Sequence, residues 1–102
     1  MKLLPPGTAL CLAAAAGLAV AQDDPQLARN LAASCTGCHG TNGRALAGSG
    51  MEPLAGIEKE KIVQKVRDFK VGTKPATVMQ QIAKGYSDEQ IELIASYFAA
   101  QK

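Results

Sequence analysis

Apolar side chains recur at three- and four-residue intervals in three separate stretches of the chain. Leu27, Ala28, Leu31, Ala32 and Cys35 keep that rhythm behind Asp24-Pro25, where the carboxylate can cap free N–H groups and proline sits where its missing N–H is not needed. The spacing predicts a helix of about ten residues that buries one stripe and ends at Thr36-Gly37. From Glu58 to Lys70, Ile62, Val63, Val66 and Phe69 share one face, with lysines and acids on the other. This is the pattern of an amphipathic helix, stopped near Gly72. Thr73 to Pro75 read as a turn, and Ala76 to Lys84 as a short helix ending at Gly85. Ser87-Asp88-Glu89-Gln90 is a capping box, with Tyr86 and Ile91 placed to form the hydrophobic staple. The helix it opens carries Ile91, Ile94, Ala95 and Phe98 on one face, with Leu93 and Tyr97 beside them. Between the first two helices, Gly40 to Gly56 holds five glycines together with Asn42, Ser49 and Pro53, the composition of an irregular loop. No period-two run is long enough for a strand. The predicted fold is all-α, three or four short helices around a glycine-rich loop, in a single domain without internal repeats.

Residues 1–21 break this pattern. MKLLPPGTALCLAAAAGLAVA begins with a lone Lys2, continues as an apolar run from Ala9 to Val20 and closes on Ala19-Val20-Ala21. That order predicts a secretory signal peptide cleaved after Ala21, with residues 22–102 as the mature domain in the periplasm. The apolar run of about a dozen residues is short of the roughly 20 that span a bilayer, so no membrane span is expected after cleavage. Leu10 stands where a lipoprotein site at Cys11 would need a small residue, and Cys11 leaves with the leader.

Removing the leader changes the composition. The whole chain has 102 residues, 47% of them hydrophobic, with a net charge of +2, three cysteines, one histidine and four aromatic residues. Taking away 21 residues leaves 81, of which 33 are hydrophobic; ten basic residues then face nine acidic ones, and Cys35, Cys38 and His39 are the only cysteines and histidine. So small and thin a core commonly needs a disulfide, a metal or a cofactor. The charge is too small and too scattered for nucleic acid to be the partner.

Cys35-Thr36-Gly37-Cys38-His39 is the C-x-x-C-H attachment signature of c-type haem. Two thiols at this spacing can add to the two vinyl groups of the porphyrin, and the histidine that follows lies where its imidazole can bind iron; Gly37 is expected to suit a tight backbone between the anchors. A thioredoxin-type redox pair would need a βαβ setting, a structural zinc site a fourth ligand, and a plain disulfide leaves His39 unexplained. With the only histidine used, a methionine thioether is the leading sixth ligand. Met51 is twelve residues past His39, whereas Met79 follows a complete helix that can carry the chain to the opposite face. Met79 is therefore favoured, with Met51 or an open site as alternatives and ordinary core packing as the other use of either methionine.

NLAASCTGCHGTNGRA, the PLAG at Pro53 to Gly56, KIVQKVRDFKVGTKPATVM and KGYSDEQIELIASYFAAQK together resemble a small class I c-type cytochrome over nearly the whole mature chain. The resemblance is closest to the cytochrome subunit of flavocytochrome c sulfide dehydrogenase and related soluble periplasmic cytochromes. It implies the class I cytochrome c fold wrapped round one covalent haem, thioether links at Cys35 and Cys38, and His39 and Met79 as axial ligands. It also implies packing of the first helix on the last, through Leu27 and Leu31 against Ile94 and Tyr97. The family usually orients the axial histidine through the carbonyl of a loop proline, for which Pro53 is the nearest match. Many relatives have one residue between that proline and Leu-Ala-Gly, whereas Pro53 precedes Leu54 directly.

The function expected from these features is one-electron transfer rather than catalysis, with redox proteins as partners. The chain would be either the haem subunit of a flavoprotein sulfide dehydrogenase or a free-standing carrier; a haem gas sensor with an open distal site is the reading from another class. Lys59, Lys61, Lys65, Lys70, Lys74 and Lys84 form either a docking collar or a solvated helix face, and the interleaved Glu58, Glu60 and Asp68 weaken the first.

Overall fold

The computed structural model describes residues 24–102; the predicted leader, with Cys11, lies outside them. Helix α1 (Pro25–Ala32) starts as its sequence demands, with Asp24 Oδ1 accepting from the N–H groups of Gln26 at 3.0 Å and Leu27 at 3.2 Å. It does not stop at Thr36-Gly37. The chain tightens into a 3-10 turn (Ala33–Cys35) and runs on as one further α-turn, α2 (Thr36–His39). Gly40 ends it at φ 88°, and a Cβ there would come within 2.0 Å of the Arg44 carbonyl oxygen. Gly37, by contrast, sits in the helical turn with no positive φ and no atom within 4 Å of where a Cβ would be. The protein backbone therefore does not require glycine between the two cysteines, contrary to the expectation of a tight passage there.

A 3-10 turn (Thr41–Gly43) opens the glycine-rich loop, which returns to its own start. Gly43 is buried, and its carbonyl accepts from the N–H groups of Leu54 at 2.8 Å and Ala55 at 3.1 Å. Gly56 N–H then bonds the Phe98 carbonyl at 2.9 Å, fixing the loop to the end of the last helix.

Helix α3 (Lys59–Val71) follows its predicted span to within one residue at each end. Helix α4 (Met79–Lys84) is shorter than predicted, starting at Met79 instead of Ala76. No side chain caps it, and β-branched Thr77 and Val78, the latter at φ −125°, favour extended backbone just before it. Helix α5 (Asp88–Ala99) carries the capping box in full: Gln90 N–H donates to Ser87 Oγ at 3.1 Å and Ser87 N–H to Gln90 Oε1 at 2.9 Å.

Helix α1 packs on α5, and α3 packs on both α4 and α5. The central cluster is Ala32, Ile62, Val63, Ile91, Ile94, Ala95 and Phe98, with Leu31, Leu54, Val66, Tyr86 and Tyr97 around it. The α1–α5 contact was expected through leucines; the residues of α1 that are actually buried are Ala28 and Ala32, while Leu27 and Leu31 are half-buried. Small side chains let the two helix axes approach closely, and the larger ones fill the margins. Among the described residues there is no strand, and no helix is long and apolar enough to cross a membrane.

Candidate functional site

The three chemistry-bearing residues of the motif lie on one turn. Cys35 is half-buried and Cys38 exposed, and the two are not joined to each other. Burial pushes the Cys35 thiol up from its ordinary value, partly offset by its contact with Ser34. His39 is half-buried, and its Nδ1 donates to the backbone carbonyl of Glu52 at 2.7 Å. That contact leaves Nε2 as the nitrogen free to act as a ligand.

The acceptor is thus one residue before Pro53, and the expectation for Pro53 is corrected. A backbone carbonyl needs no particular side chain, only the right register. The bonds from Leu54 and Ala55 to Gly43 set that register, and they bring Glu52 to His39. Proline at position 53 biases the residue before it, Glu52, toward extended conformations. The Glu52 side chain in turn pairs with Lys65 on α3. Hydrogen bonding from the Lys65 ammonium holds the Glu52 carboxyl below its usual range. The departure in spacing, Pro53 directly before Leu54, was the visible signal of this shift.

On one side of the motif lies an apolar cleft, with Cys35, Val66, Met79, Ile82, Tyr86 and Ile94 among its walls. Met79, the first residue of α4, therefore meets the first motif cysteine on the same hollow. Met51 is 38% exposed and lines neither this cleft nor the second hollow. The second hollow is bounded by Thr36, Cys38, Gly40, Thr41, Leu46 and Ser49. Leu46 is 77% exposed, and Val78 and Ile82 beside Met79 are also exposed. An apolar cleft on one side of a turn that carries two cysteines and an oriented imidazole, with exposed Leu46 on the other, suits a large flat apolar group joined through sulfur. No buried side-chain polar atom lacks a partner among the described residues, so the site makes no competing polar demand.

Three of the six lysines, Lys59, Lys65 and Lys70, pair with acids. Lys59 meets Glu92 at 3.1 Å, Lys70 lies 3.8 Å from Asp88, and Arg67 reaches both Asp88 and Glu92 at 3.9 and 3.7 Å. Lys74 lies over the Phe69 ring at 5.5 Å. At Lys59, Lys65 and Lys70 these contacts favour an internally paired face over a collar of available charge. Such exposed pairs contribute little stability each.

A small all-α fold that closes around an apolar cleft, with C-x-x-C-H at its edge, defines a c-type cytochrome. The chain belongs to this family: residues 22–98 match the family described as Cytochrome C oxidase, cbb3-type, subunit III. It is 46% identical over 68 residues to the cytochrome subunit of sulfide dehydrogenase from Chlorobaculum tepidum, a match covering 67% of this chain and 60% of that protein. It is 30% identical over 95 residues to cytochrome c-553 from Nitratidesulfovibrio vulgaris, covering 88% and 89% of the two chains. Cytochrome c4 from Azotobacter vinelandii is 32% identical over 95 residues, covering 84% of this chain and 45% of the relative. The chain thus spans 60% or less of the sulfide dehydrogenase and c4 relatives. The cofactor is haem c, covalently bound, with its iron.

Proposed function

We propose that the chain is a periplasmic one-electron carrier whose haem is anchored by Cys35 and Cys38 and whose iron is held by His39 and Met79. The observation that carries this reading is the convergence of Cys35 and Met79 on one apolar cleft, although they are far apart in sequence. The haem supplies a one-electron couple at its iron. Cys35 and Cys38 would hold the group by adding each S–H across a vinyl C=C, sulfur to one carbon and hydrogen to the other, so attachment would need no oxidant. The Glu52 carbonyl holds the proton on His39 Nδ1 and thereby fixes the imidazole's tautomer and tilt. The Met79 thioether is a neutral, soft ligand, which raises the potential relative to a second imidazole. Val66, Ile91 and Ile94 give the cleft an apolar wall, which would favour the form of lower charge.

The similarity to a sulfide dehydrogenase cytochrome subunit supports an electron donor that is the flavin-bearing subunit of such an enzyme. The end-to-end match with a cytochrome c-553 supports the second reading, a free-standing carrier. Purification of the native protein separates them, since a flavin-containing chain that co-purifies supports the first and its absence the second. Ligation is tested by the ferric spectrum: a low-spin form with the far-red sulfur-to-iron band is expected. Met79→Ala removes that band and Met51→Ala keeps it. A high-spin protein that binds carbon monoxide without denaturant would overturn the ligand set and favour a sensor.

A further inference from the structure

Met79 opens a helix poorly equipped to hold a ligand in place. Helix α4 has six residues, lacks a side-chain cap and packs chiefly on α3, and isolated helices of that length are unstable. The turn carrying Cys35 forms the opposite bank of the cleft. Among the side-chain hydrogen bonds of the described residues, one joins the two banks: that between the Tyr86 and Ser34 hydroxyls. Ser34 directly precedes Cys35, and Tyr86 lies two residues beyond the end of α4.

Tyr86 is also anchored on its own side. Its carbonyl accepts from Lys70 Nζ of α3 at 2.6 Å, and its side chain packs on the central cluster while lining the cleft beside Met79 and Ile82. We infer that Tyr86 is a positioning residue for the Met79 ligand, its hydroxyl tied to Ser34 so that the segment bearing Met79 stays closed against the turn bearing Cys35. This rests on the ligand set proposed above. Loss of the tie leaves the thioether present but easier to displace.

The experiment is equilibrium binding of cyanide to the ferric holoprotein, which must displace the sixth ligand. Tyr86→Phe and Ser34→Ala are each expected to keep the far-red band and to raise cyanide affinity roughly fivefold. At about 1.4 kcal/mol per tenfold, that is about 1 kcal/mol, the net strength of one hydrogen bond. The double variant is expected to bind no more tightly than either single one, because both remove the same bond. Tyr97→Phe is the control: it deletes the Tyr97 hydroxyl's bond to Asn42 Oδ1 but does not line the cleft, so cyanide affinity should stay at the wild-type value. Unchanged affinity in Tyr86→Phe, additive effects in the double variant, or an equal rise in Tyr97→Phe would each overturn the tie while leaving the ligand set intact. A wild-type ferric protein without the far-red band would instead overturn the ligand set, and the tie with it.

Discussion

Replacing Gly43 by alanine tests how the loop, and through it the orientation of His39, is held. Gly43 has φ 79°, and a Cβ there would lie 2.6 Å from Phe98 Cδ1 and 2.9 Å from the Ala55 nitrogen. Gly48 offers an internal standard, with φ 77° and nothing within 4 Å of the added carbon. Both substitutions carry the left-handed backbone penalty of about 1–2 kcal/mol, reduced by roughly 0.4–1 kcal/mol because alanine also restricts the unfolded chain. Only Gly43→Ala adds overpacking against a wholly buried ring and a backbone nitrogen, worth about 1–3 kcal/mol. The difference between the two variants therefore isolates the steric contribution. For a domain of this size it corresponds to a melting temperature lower by roughly 4–8 °C per kcal/mol. Thermal and guanidinium unfolding of the holoproteins would measure it. Equal stabilities for the two variants would refute the packing argument, since backbone strain alone cannot separate them.

Further expectations concern the cofactor, the ion pairs and the caps. Cys35→Ala/Cys38→Ala should yield a chain with little cooperative unfolding and reduced helical dichroism, because a core of this size is marginal without its prosthetic group; a cooperative native-like melt would contradict this. Lys65→Met removes the partner that depresses the Glu52 carboxyl. A lowered folded value means the contribution is complete above the ordinary carboxyl range and lost as pH falls through the folded one. The variant should therefore be less stable than wild type at neutral pH, by less than about 1 kcal/mol for so exposed a pair, and equally stable in acid. A difference that grows on acidification would contradict the assignment. Ser87→Ala should destabilise by about 1 kcal/mol, seen as faster amide exchange in the first turn of α5 with the haem spectrum unchanged.

Much of the architecture was legible because it is written locally. The stripes of α3 and α5 and the Ser87–Gln90 box depend on residues three and four apart, and the helices formed where those patterns lie. Features that depend on distant parts of the chain were harder to read. Thr36-Gly37 looks like a helix end, yet a helix tolerates glycine when nothing else competes, and the stop came at Gly40. The acidic residues nearest the α3 lysines in sequence were Glu58, Glu60 and Asp68, but their partners are Glu52, Asp88 and Glu92, brought in by the loop and α5. The carbonyl that orients His39 carries no side-chain signature at all, and only its offset from Leu54-Ala55-Gly56 hinted that Glu52 rather than Pro53 would supply it. The choice of Met79 over Met51 rested on chain length, and the two residues do lie in different surroundings.

The contact between α1 and α5 bears on the order in which the protein can be assembled. Ala28 and Ala32 find their burial partner in a helix that begins only at Asp88, 56 residues beyond Ala32. Until that helix exists, the stripe of α1 has nothing to lie against, and the turn that continues it stands open. Whatever handles the growing chain thus meets Cys35, Cys38 and His39 before α1 can dock on α5. The attachment motif is made well before the helix that fixes the segment leading into it, and Cys38 stays exposed even after that helix has docked.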